Sequence, residues 1–443
     1  MRSPGSLAGD AVRALRTAVR PQALGVGGLY LFAASAWLSP AAARVGLVLM
    51  ILAALGEGRV LVRHLRGEPL AWAAGFWVLA VLVSFSLAGP MASRATHGEA
   101  AVVFLWLSAF PIVAWWVRGD PQRIWAVLAL ALAGFLLRRV LHLPQLDFAA
   151  LAGGLRSGVG LPEIATAEYA AIALTGLLLA GPRLWQGSGR LRRVVWRVAS
   201  RALWLVAGAF LVLLVLVTQS RAAWMLMAVV LPAVAVWLLG QRTRAAGHGA
   251  VMVAGVAGVV AILPLVAYFD VVAARFAEDT ETVRRVLEGD WSAVPYTSGG
   301  LRVHLWRLGA GWWAEAPWLG NGPAASPALI RATGVPLLQD LHDVHNVALD
   351  LMVRLGLAGL FAYVAMLGLA LRAWVGARHR GRIPSDLFLI VLAALSFDVL
   401  AGLTNCRTLS TDGRFFWLLF VGIASSVSIG APVGSAPPTP ARP

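Results

Sequence analysis

The chain has 443 residues, of which 59% are hydrophobic and only 13% charged, whereas soluble domains carry about 25% charged residues. All 37 basic residues are arginines and give a net charge of +16, but most lie in short loops between apolar stretches, so they indicate membrane topology and argue against a nucleic-acid partner. The single cysteine, Cys406, excludes an intramolecular disulfide and any multi-cysteine metal or redox site.

Twelve apolar stretches follow one another along the chain, each long enough to cross a hydrocarbon core of about 30 Å. Backbone groups in that core must be paired within a helix or a closed barrel, and these stretches lack the alternation of barrel strands. We therefore predict an all-α, polytopic membrane protein. The predicted spans are 22–39, 44–62, 70–89, 99–117, 122–138, 165–182, 200–219, 221–240, 249–269, 345–371, 384–403 and 414–430.

One long polar segment interrupts these spans. We predict transmembrane helices 1–9 within residues 1–269, a large outer loop over 270–344, helices 10–12 within 345–430 and a disordered cytoplasmic tail over 431–443. The positive-inside rule favours cytoplasmic N- and C-termini, since more arginines then lie inside. No cleavage site follows the first apolar run, so we expect a retained helix rather than a signal peptide.

The outer loop is too long to be a simple connector. Its stretches FDVVAARFAEDTETVRRVLEG and SGGLRVHLWRLGAGWWAEA predict two helices, the second with leucines and a tryptophan at helical spacing. Its nine acids outnumber its six arginines, which excludes a polybasic arm. We predict a small helical cap.

Several arginines occur on the predicted outer side, where the positive-inside rule disfavours them: Arg138, Arg139, Arg156 and Arg221. An arginine near hydrocarbon is costly and is therefore a functional candidate. Its planar fork of donors suits phosphate oxygens, so together with Arg302 of the cap these residues predict a site for a phosphorylated lipid. The alternatives are snorkelling to the outer headgroups and ion pairs with Asp147, Glu163 or Glu168.

The segment LHDVHNVALDLMVRLGLAGL contains His345 and Asn346, followed after nine residues by Gly356 and Gly359. It resembles the pattern H-[N/S/Q]-x9-G-x-x-G shared by O-antigen ligases, O-antigen polymerases and protein O-oligosaccharyltransferases. The two glycines lie one turn apart and predict a close approach between helices.

Three other stretches are similar to the same superfamily. QSRAAW contains Arg221, and RVHLWRLGAGWWAEAPWLGNG contains Arg302 and Trp306. RSGVGLPEIATAEYAAIAL is similar to the family's approach to the next span, but Glu163 stands where asparagine is frequent. These stretches, in the expected order, cover about half of the chain.

The resemblance implies a fold like glycosyltransferase superfamily C and an inverting, metal-independent glycosyltransferase without a cofactor. Its donor would be a glycan on undecaprenyl pyrophosphate, at the periplasmic face of the bacterial inner membrane. An O-antigen ligase, whose acceptor is lipid A-core, is the member that the HxxHN segment and the compact size favour. An O-antigen polymerase or a protein O-oligosaccharyltransferase would use another acceptor. A lipid or polysaccharide transporter is the alternative of another class, although no clear internal repeat supports it.

The transfer needs a base for the acceptor hydroxyl and stabilisation of the departing pyrophosphate. His345 is the predicted base, because histidine suits proton abstraction at neutral pH. Arg221 and Arg302 are the predicted catalytic arginines and, with Arg139 and Arg156, would bind the pyrophosphate. The predicted sugar or lipid contacts are Trp306, Asn346 and His342.

Two alternatives remain open for His345. The first is a structural role at the start of a helix, beside a capping Asn346. The second is a metal site formed by the neighbouring ligand types Asp340, His342, Asp343 and His345. Arg354 and Asp398, both inside predicted spans, need polar partners that the sequence does not identify.

Overall fold

The computed structural model describes residues 21–145, 156–185, 191–240, 255 and 269–429. Every regular element in these residues is helical, which confirms the predicted all-α class. The first half contains α1 Pro21–Ser35, α2 Pro40–Gly56, α3 Gly58–Leu65, α4 Pro69–Leu87, α5 Arg94–Leu105, α6 Phe110–Val117, α7 Pro121–His142, α8 Glu163–Trp185, α9 Leu191–Thr218 and α10 Arg221–Gly240. The second half contains α11 Phe269–Ala277, α12 Thr280–Glu288, α13 Ser298–Glu315, α14 Ala325–Ala332, α15 Val347–His379, α16 Ser385–Ala401 and α17 Thr411–Ile429.

Seven helices of the described residues are long and apolar enough to cross a membrane, as expected of a polytopic membrane protein. They are Pro69–Leu87, Arg94–Val117, Pro121–Gln145, Glu163–Gly181, Val198–Thr218, Val347–His379 and Thr411–Ile429. The bent pair α2 and α3 is an eighth if it counts as one span. The predicted count of twelve is therefore not confirmed.

Four predicted spans do not appear among these helices. Helix α16 has 17 residues, about 26 Å at 1.5 Å per residue, which is less than a hydrocarbon core of about 30 Å. The described part of α1 has 15 residues and begins at Pro21, the first described residue. In α10 only Arg221–Val234 qualifies, as a shorter apolar helix. Most of the predicted span 249–269, the tail 431–443 and the proposed ion-pair partner Asp147 lie outside the described residues.

The predicted span 44–62 does not continue as one helix. It breaks at Glu57, and α2 and α3 meet at 91°. The Glu57 carboxylate accepts a hydrogen bond from Trp115 Nε1 at 3.0 Å and pairs with Arg118 at 3.4 Å. Hydropathy alone does not reveal this break, because apolar residues lie on both sides of it.

Helix α17 lies inside the bundle, packed against α6 and α15. Trp417 donates from Nε1 to the Leu107 carbonyl at 2.9 Å, and its ring stacks on Tyr363 with centroids 4.7 Å apart. A Cβ at Gly422 would lie 2.7 Å from Val113, so glycine is what allows α6 and α17 to approach so closely.

Residues 269–344, hereafter the cap, form a helical unit. Its small apolar core consists of Leu305, Ile330, Leu338 and Val344. The sequence predicts two helices here, whereas the structure has four, α11 to α14. The first predicted helix is divided at Glu278 and Asp279, and α14 is too short to give a clear periodic pattern.

Candidate functional site

The segment between the cap and α15 is fixed at its end by a helix cap. Asn346 is the N-cap of α15, and its side chain accepts from the Leu349 amide at 3.0 Å. The same side chain donates from Nδ2 to the Leu403 carbonyl at 3.1 Å, and the Val347 amide donates to the Gly402 carbonyl at 2.8 Å. The start of α15 is thus tied to the turn that follows α16.

His345 precedes this cap in an unusual backbone conformation, with φ +54°. Its side chain is 25% exposed, and Nδ1 lies 2.7 Å from Asp343 Oδ1. The His345 amide donates to the same oxygen at 2.8 Å. Burial raises the pKa of Asp343, but the hydrogen bonds from His345 outweigh it and hold that pKa below its ordinary value. Asp343 is therefore ionised at neutral pH.

A buried ion pair in the first turns of α15 holds the segment that leads to His345. Arg354 pairs with Asp350 at 2.7 Å and donates to the carbonyls of His342 at 2.6 Å and Pro323 at 3.1 Å. Asp350 Oδ1 accepts from the Val344 amide at 3.3 Å. These contacts identify the partners of Arg354. Asp398, the other charged residue whose partner the sequence does not identify, is buried within the bundle.

Helix α15 is interrupted at Gly356, where φ is +66° and ψ −168°. The interruption leaves two carbonyls before it and two amides after it without partners inside the helix. The segment 317–322 pairs with all four. The bonds are Asn321 N to Val353 O at 2.9 Å, Gly322 N to Arg354 O at 3.1 Å, Leu357 N to Pro317 O at 2.9 Å and Ala358 N to Trp318 O at 3.1 Å.

Glycine is required on both sides of this contact. A Cβ at Gly356 would lie 2.2 Å from the Trp318 carbonyl carbon, and one at Gly320 would lie 2.4 Å from the Arg354 carbonyl carbon. The sequence predicts that the G-x-x-G pair brings two helices together. At Gly356 the close neighbour is instead a loop of the cap, docked into a helix break.

The structure brings three of the outer arginines towards one place. Arg221 is the first residue of α10, Arg302 lies in the first turns of α13, and Arg156 lies just before α8. Arg156 donates from Nε to the Thr218 carbonyl at 2.9 Å, at the end of α9. Burial lowers the pKa of Arg302, and the charges of Arg221 and Arg156 lower it further. The three guanidinium groups therefore share one electrostatic environment.

Acids of the cap face Arg221. Its guanidinium lies 2.8 Å from Asp279 Oδ2 and 3.8 Å from Glu278. Asp279 Oδ1 accepts from the Thr297 hydroxyl at 3.1 Å and the Gly299 amide at 3.2 Å. Asp279 thus links the start of α10 to the start of α13. Sequence reasoning missed this acid, because its partner is far away along the chain.

Arg302 is anchored close to His345. Its Nε donates to the Thr404 carbonyl at 3.0 Å and its Nη1 to the Ser298 carbonyl at 2.7 Å. Thr404 belongs to the same turn, 402–404, that holds the start of α15. One helical turn after Arg302, the Trp306 indole Nε1 lies 3.5 Å from the His345 carbonyl oxygen. The turn 402–404 therefore joins the arginine group to the histidine.

Arg139 lies apart from this group. It is fully buried in α7 and donates from Nη1 to the Gly158 carbonyl at 3.1 Å and the Thr166 hydroxyl at 3.2 Å. Its guanidinium carbon lies 5.2 Å from the centre of the Phe135 ring. These contacts hold the Arg139 side chain at the start of α8, away from Arg221 and Arg302.

The acid- and histidine-rich loop does not gather into a cluster. His342 exposes its side chain and uses its carbonyl to bind Arg354, while Asp343 is paired with His345. Within the described residues, no group of three or more His, Cys, Asp or Glu side chains is arranged to hold a metal ion. The geometry brings together a histidine with a carboxylate on one side of the turn 402–404 and arginines on the other.

Part of the chain is similar to a known protein family. Residues 205–364 match the family model described as O-antigen ligase. This stretch contains Arg221, Arg302 and the whole segment from His345 to Gly359. No curated protein matches the chain.

Proposed function

Because the chain belongs to the O-antigen ligase and polymerase superfamily, we propose that it is an O-antigen ligase. In this proposal it moves O-antigen polysaccharide from undecaprenyl pyrophosphate to a sugar hydroxyl of lipid A-core, with inversion at the anomeric carbon. The observation that carries the proposal is the turn 402–404. It holds Arg302 through Thr404 and the His345 segment through Gly402 and Leu403, so phosphate-binding and proton-accepting groups are positioned by one element.

On the donor side, Arg156, Arg221 and Arg302 bind the pyrophosphate. Their charge balances the negative charge that develops on the leaving oxygen, and in acyl transfer one preorganised donor of this kind contributes about 10²–10³ to kcat. The forked guanidinium matches phosphate oxygens with two parallel bonds, which an ammonium group does not. These fixed charges do the work that a bound metal ion does in many phosphate-transferring sites.

On the acceptor side, His345 takes the proton of the attacking hydroxyl. General-base catalysis contributes about 10²–10⁴ to the rate of such steps, and the 25% exposure of the His345 side chain leaves it accessible. Trp306, beside the His345 backbone, and the exposed His342 are proposed to contact the sugar or the lipid. Asn346 positions the base by capping α15.

We place this site at the periplasmic face of the inner membrane, with both termini cytoplasmic. After its break at Gly356, α15 continues to His379, about 35 Å at 1.5 Å per residue, so this part is long enough to cross a bilayer. His345 precedes the start of α15. Three arginines cluster at the other end, as expected for a cytoplasmic boundary: Arg378, Arg380 and Arg382.

The proposal is tested by reconstituting the purified protein with an undecaprenyl-pyrophosphate glycan and one of three acceptors. Transfer to lipid A-core supports the ligase. Transfer to a second donor molecule identifies a polymerase, and transfer to a pilin-like protein identifies an O-oligosaccharyltransferase. Movement of the lipid-linked glycan across the vesicle membrane without any product overturns the enzyme assignment and identifies a transporter.

A further inference from the structure

We propose that Asp343 is the positioning residue of His345: it fixes the imidazole with the Nδ1 proton facing the carboxylate, and its negative charge stabilises the imidazolium formed during transfer. This inference rests on the proposed function, because it gives a partner to the base of that reaction. One atom, Asp343 Oδ1, lies 2.7 Å from the ring Nδ1 and 2.8 Å from the His345 amide nitrogen.

The tautomer follows from the chemistry of the partner. An ionised carboxylate can only accept hydrogen bonds, and the hydrogen bonds from His345 keep the pKa of Asp343 low despite its burial. The proton of the neutral ring must therefore be on Nδ1. The other nitrogen, Nε2, then carries the free lone pair and is the atom that accepts a proton.

The backbone conformation of His345 supports a positioning role. A φ of +54° is uncommon for a residue other than glycine and costs free energy unless its surroundings stabilise it. The bond from the His345 amide to Asp343 Oδ1 closes a turn of the Asx type, which is such a stabilising contact. The same oxygen thus fixes both the backbone and the ring of His345.

Asp343 is itself held on both sides. The preceding carbonyl, of His342, accepts from Arg354 at 2.6 Å, and the following amide, of Val344, donates to Asp350 at 3.3 Å. Arg354 and Asp350 are buried in α15 and paired with each other. The carboxylate therefore sits on a fixed frame instead of a free loop, as a positioning group must.

The transfer step balances in bonds and protons and needs no further reactant. The acceptor oxygen forms a bond to the anomeric carbon, the bond from that carbon to the pyrophosphate oxygen breaks, and the electron pair leaves with the pyrophosphate. The hydroxyl proton moves to His345 Nε2 and makes an imidazolium between Asp343 and the acceptor. That proton is later released to the departing pyrophosphate or to water.

Two variants separate hydrogen bonding from charge. Both contacts fall on Oδ1, so Asp343→Asn can retain them through its amide oxygen while losing the negative charge. Asp343→Ala loses contacts and charge together. We expect kcat to fall about 10²-fold or more in Asp343→Ala, up to the whole contribution of a general base, and about tenfold in Asp343→Asn, with an unchanged KM for the donor in both.

A double variant provides the readout that a structural role would not change. If Asp343 acts only through His345, then Asp343→Ala combined with His345→Ala is no slower than His345→Ala alone, because residues that act as one unit are not additive. Added acetate is also expected to restore part of the kcat of Asp343→Ala. Asp340→Asn, an exposed acid of the same loop, is the matched control and should keep wild-type kcat.

The outcomes distinguish this inference from the proposed function. Wild-type kcat in Asp343→Ala overturns the inference, and so does a loss that multiplies with that of His345→Ala, which would indicate a role in folding. Wild-type kcat in Asp343→Asn alone overturns the role of the charge. An active His345→Ala variant instead removes the base from the proposed function itself.

Discussion

Replacing Gly356 by alanine tests whether the break in α15 requires glycine. At φ +66° and ψ −168° other residues pay about 1–3 kcal/mol of backbone strain. The new Cβ would lie 2.2 Å from the Trp318 carbonyl carbon, so the segment 317–322 must move. Losing two to four of its backbone hydrogen bonds, at about 1 kcal/mol each, brings the cost to about 3–7 kcal/mol. Whole domains have a stability of about 5–15 kcal/mol.

The assay is thermal unfolding of the purified protein in detergent, together with the yield of folded protein from membranes. Gly368→Ala is the matched control, because Gly368 lies in the same helix and a Cβ there would meet no atom within 4 Å. The control should be neutral or stabilising by up to about 1 kcal/mol. Equal unfolding midpoints for the two variants would refute the docking of the cap into the helix break.

Four further predictions concern the site. His345→Ala should lower kcat by about 10²–10⁴ in a transfer assay while the protein still inserts in the membrane. Arg302→Ala should lower kcat by about 10²–10³, and Arg302→Lys should not restore it because lysine lacks the fork. Asp279→Asn keeps its acceptor for Thr297 but loses the charge facing Arg221, so the KM for the donor should fall; an unchanged KM would show that this carboxylate does not compete with phosphate. Burial raises the pKa of Asp343, but hydrogen bonds from His345 bring it below its ordinary value, so its contribution to stability is present above about pH 4 and is lost as the pH falls through the lowered value. Between those values the unfolding midpoint of Asp343→Asn should therefore fall less steeply than that of the wild type.

The structure gives a physical reason for the spacing between the histidine and the glycines. Between Asn346 and Gly356 lies a helical segment of two to three turns, capped at one end and interrupted at the other. Asp350 and Arg354 are one turn apart on its buried face and bind the residues just before His345. A shorter or longer segment would rotate this pair away from the loop it holds, since each residue turns the helix by about 100°.

Three groups of polar contacts, among others within the described residues, join the cap to the bundle. Asp279 binds Arg221 at the start of α10, the segment 317–322 fills the break in α15, and Arg302 binds the Thr404 carbonyl after α16. The segment 317–322 pairs with backbone groups that the break in α15 leaves without a partner inside the helix. The proposed active site lies between these attachments, so movement of the cap would move Arg302 relative to the base.

The sequence by itself determined the class of protein, a polytopic membrane protein. Apolar runs and arginine-rich loops are local features of the sequence, and they decide which segments enter the bilayer and which stay outside it. It also singled out His345, Arg221 and Arg302 individually, as residue types able to move a proton or bind phosphate. It did not reveal the break at Glu57, since apolar residues lie on both sides of the turn that ends α2.

Only the tertiary structure decided which of these groups meet. Arg156 shares the surroundings of Arg221 and Arg302, whereas Arg139, another arginine of the predicted outer side, is buried against Phe135. The sequence likewise did not identify the partners of Arg221 and Arg354 or the role of Gly356. A polar group buried in the bundle needs a hydrogen-bond or ion-pair partner among the residues packed around it. Those neighbours are often far away in the chain, so the sequence does not identify them.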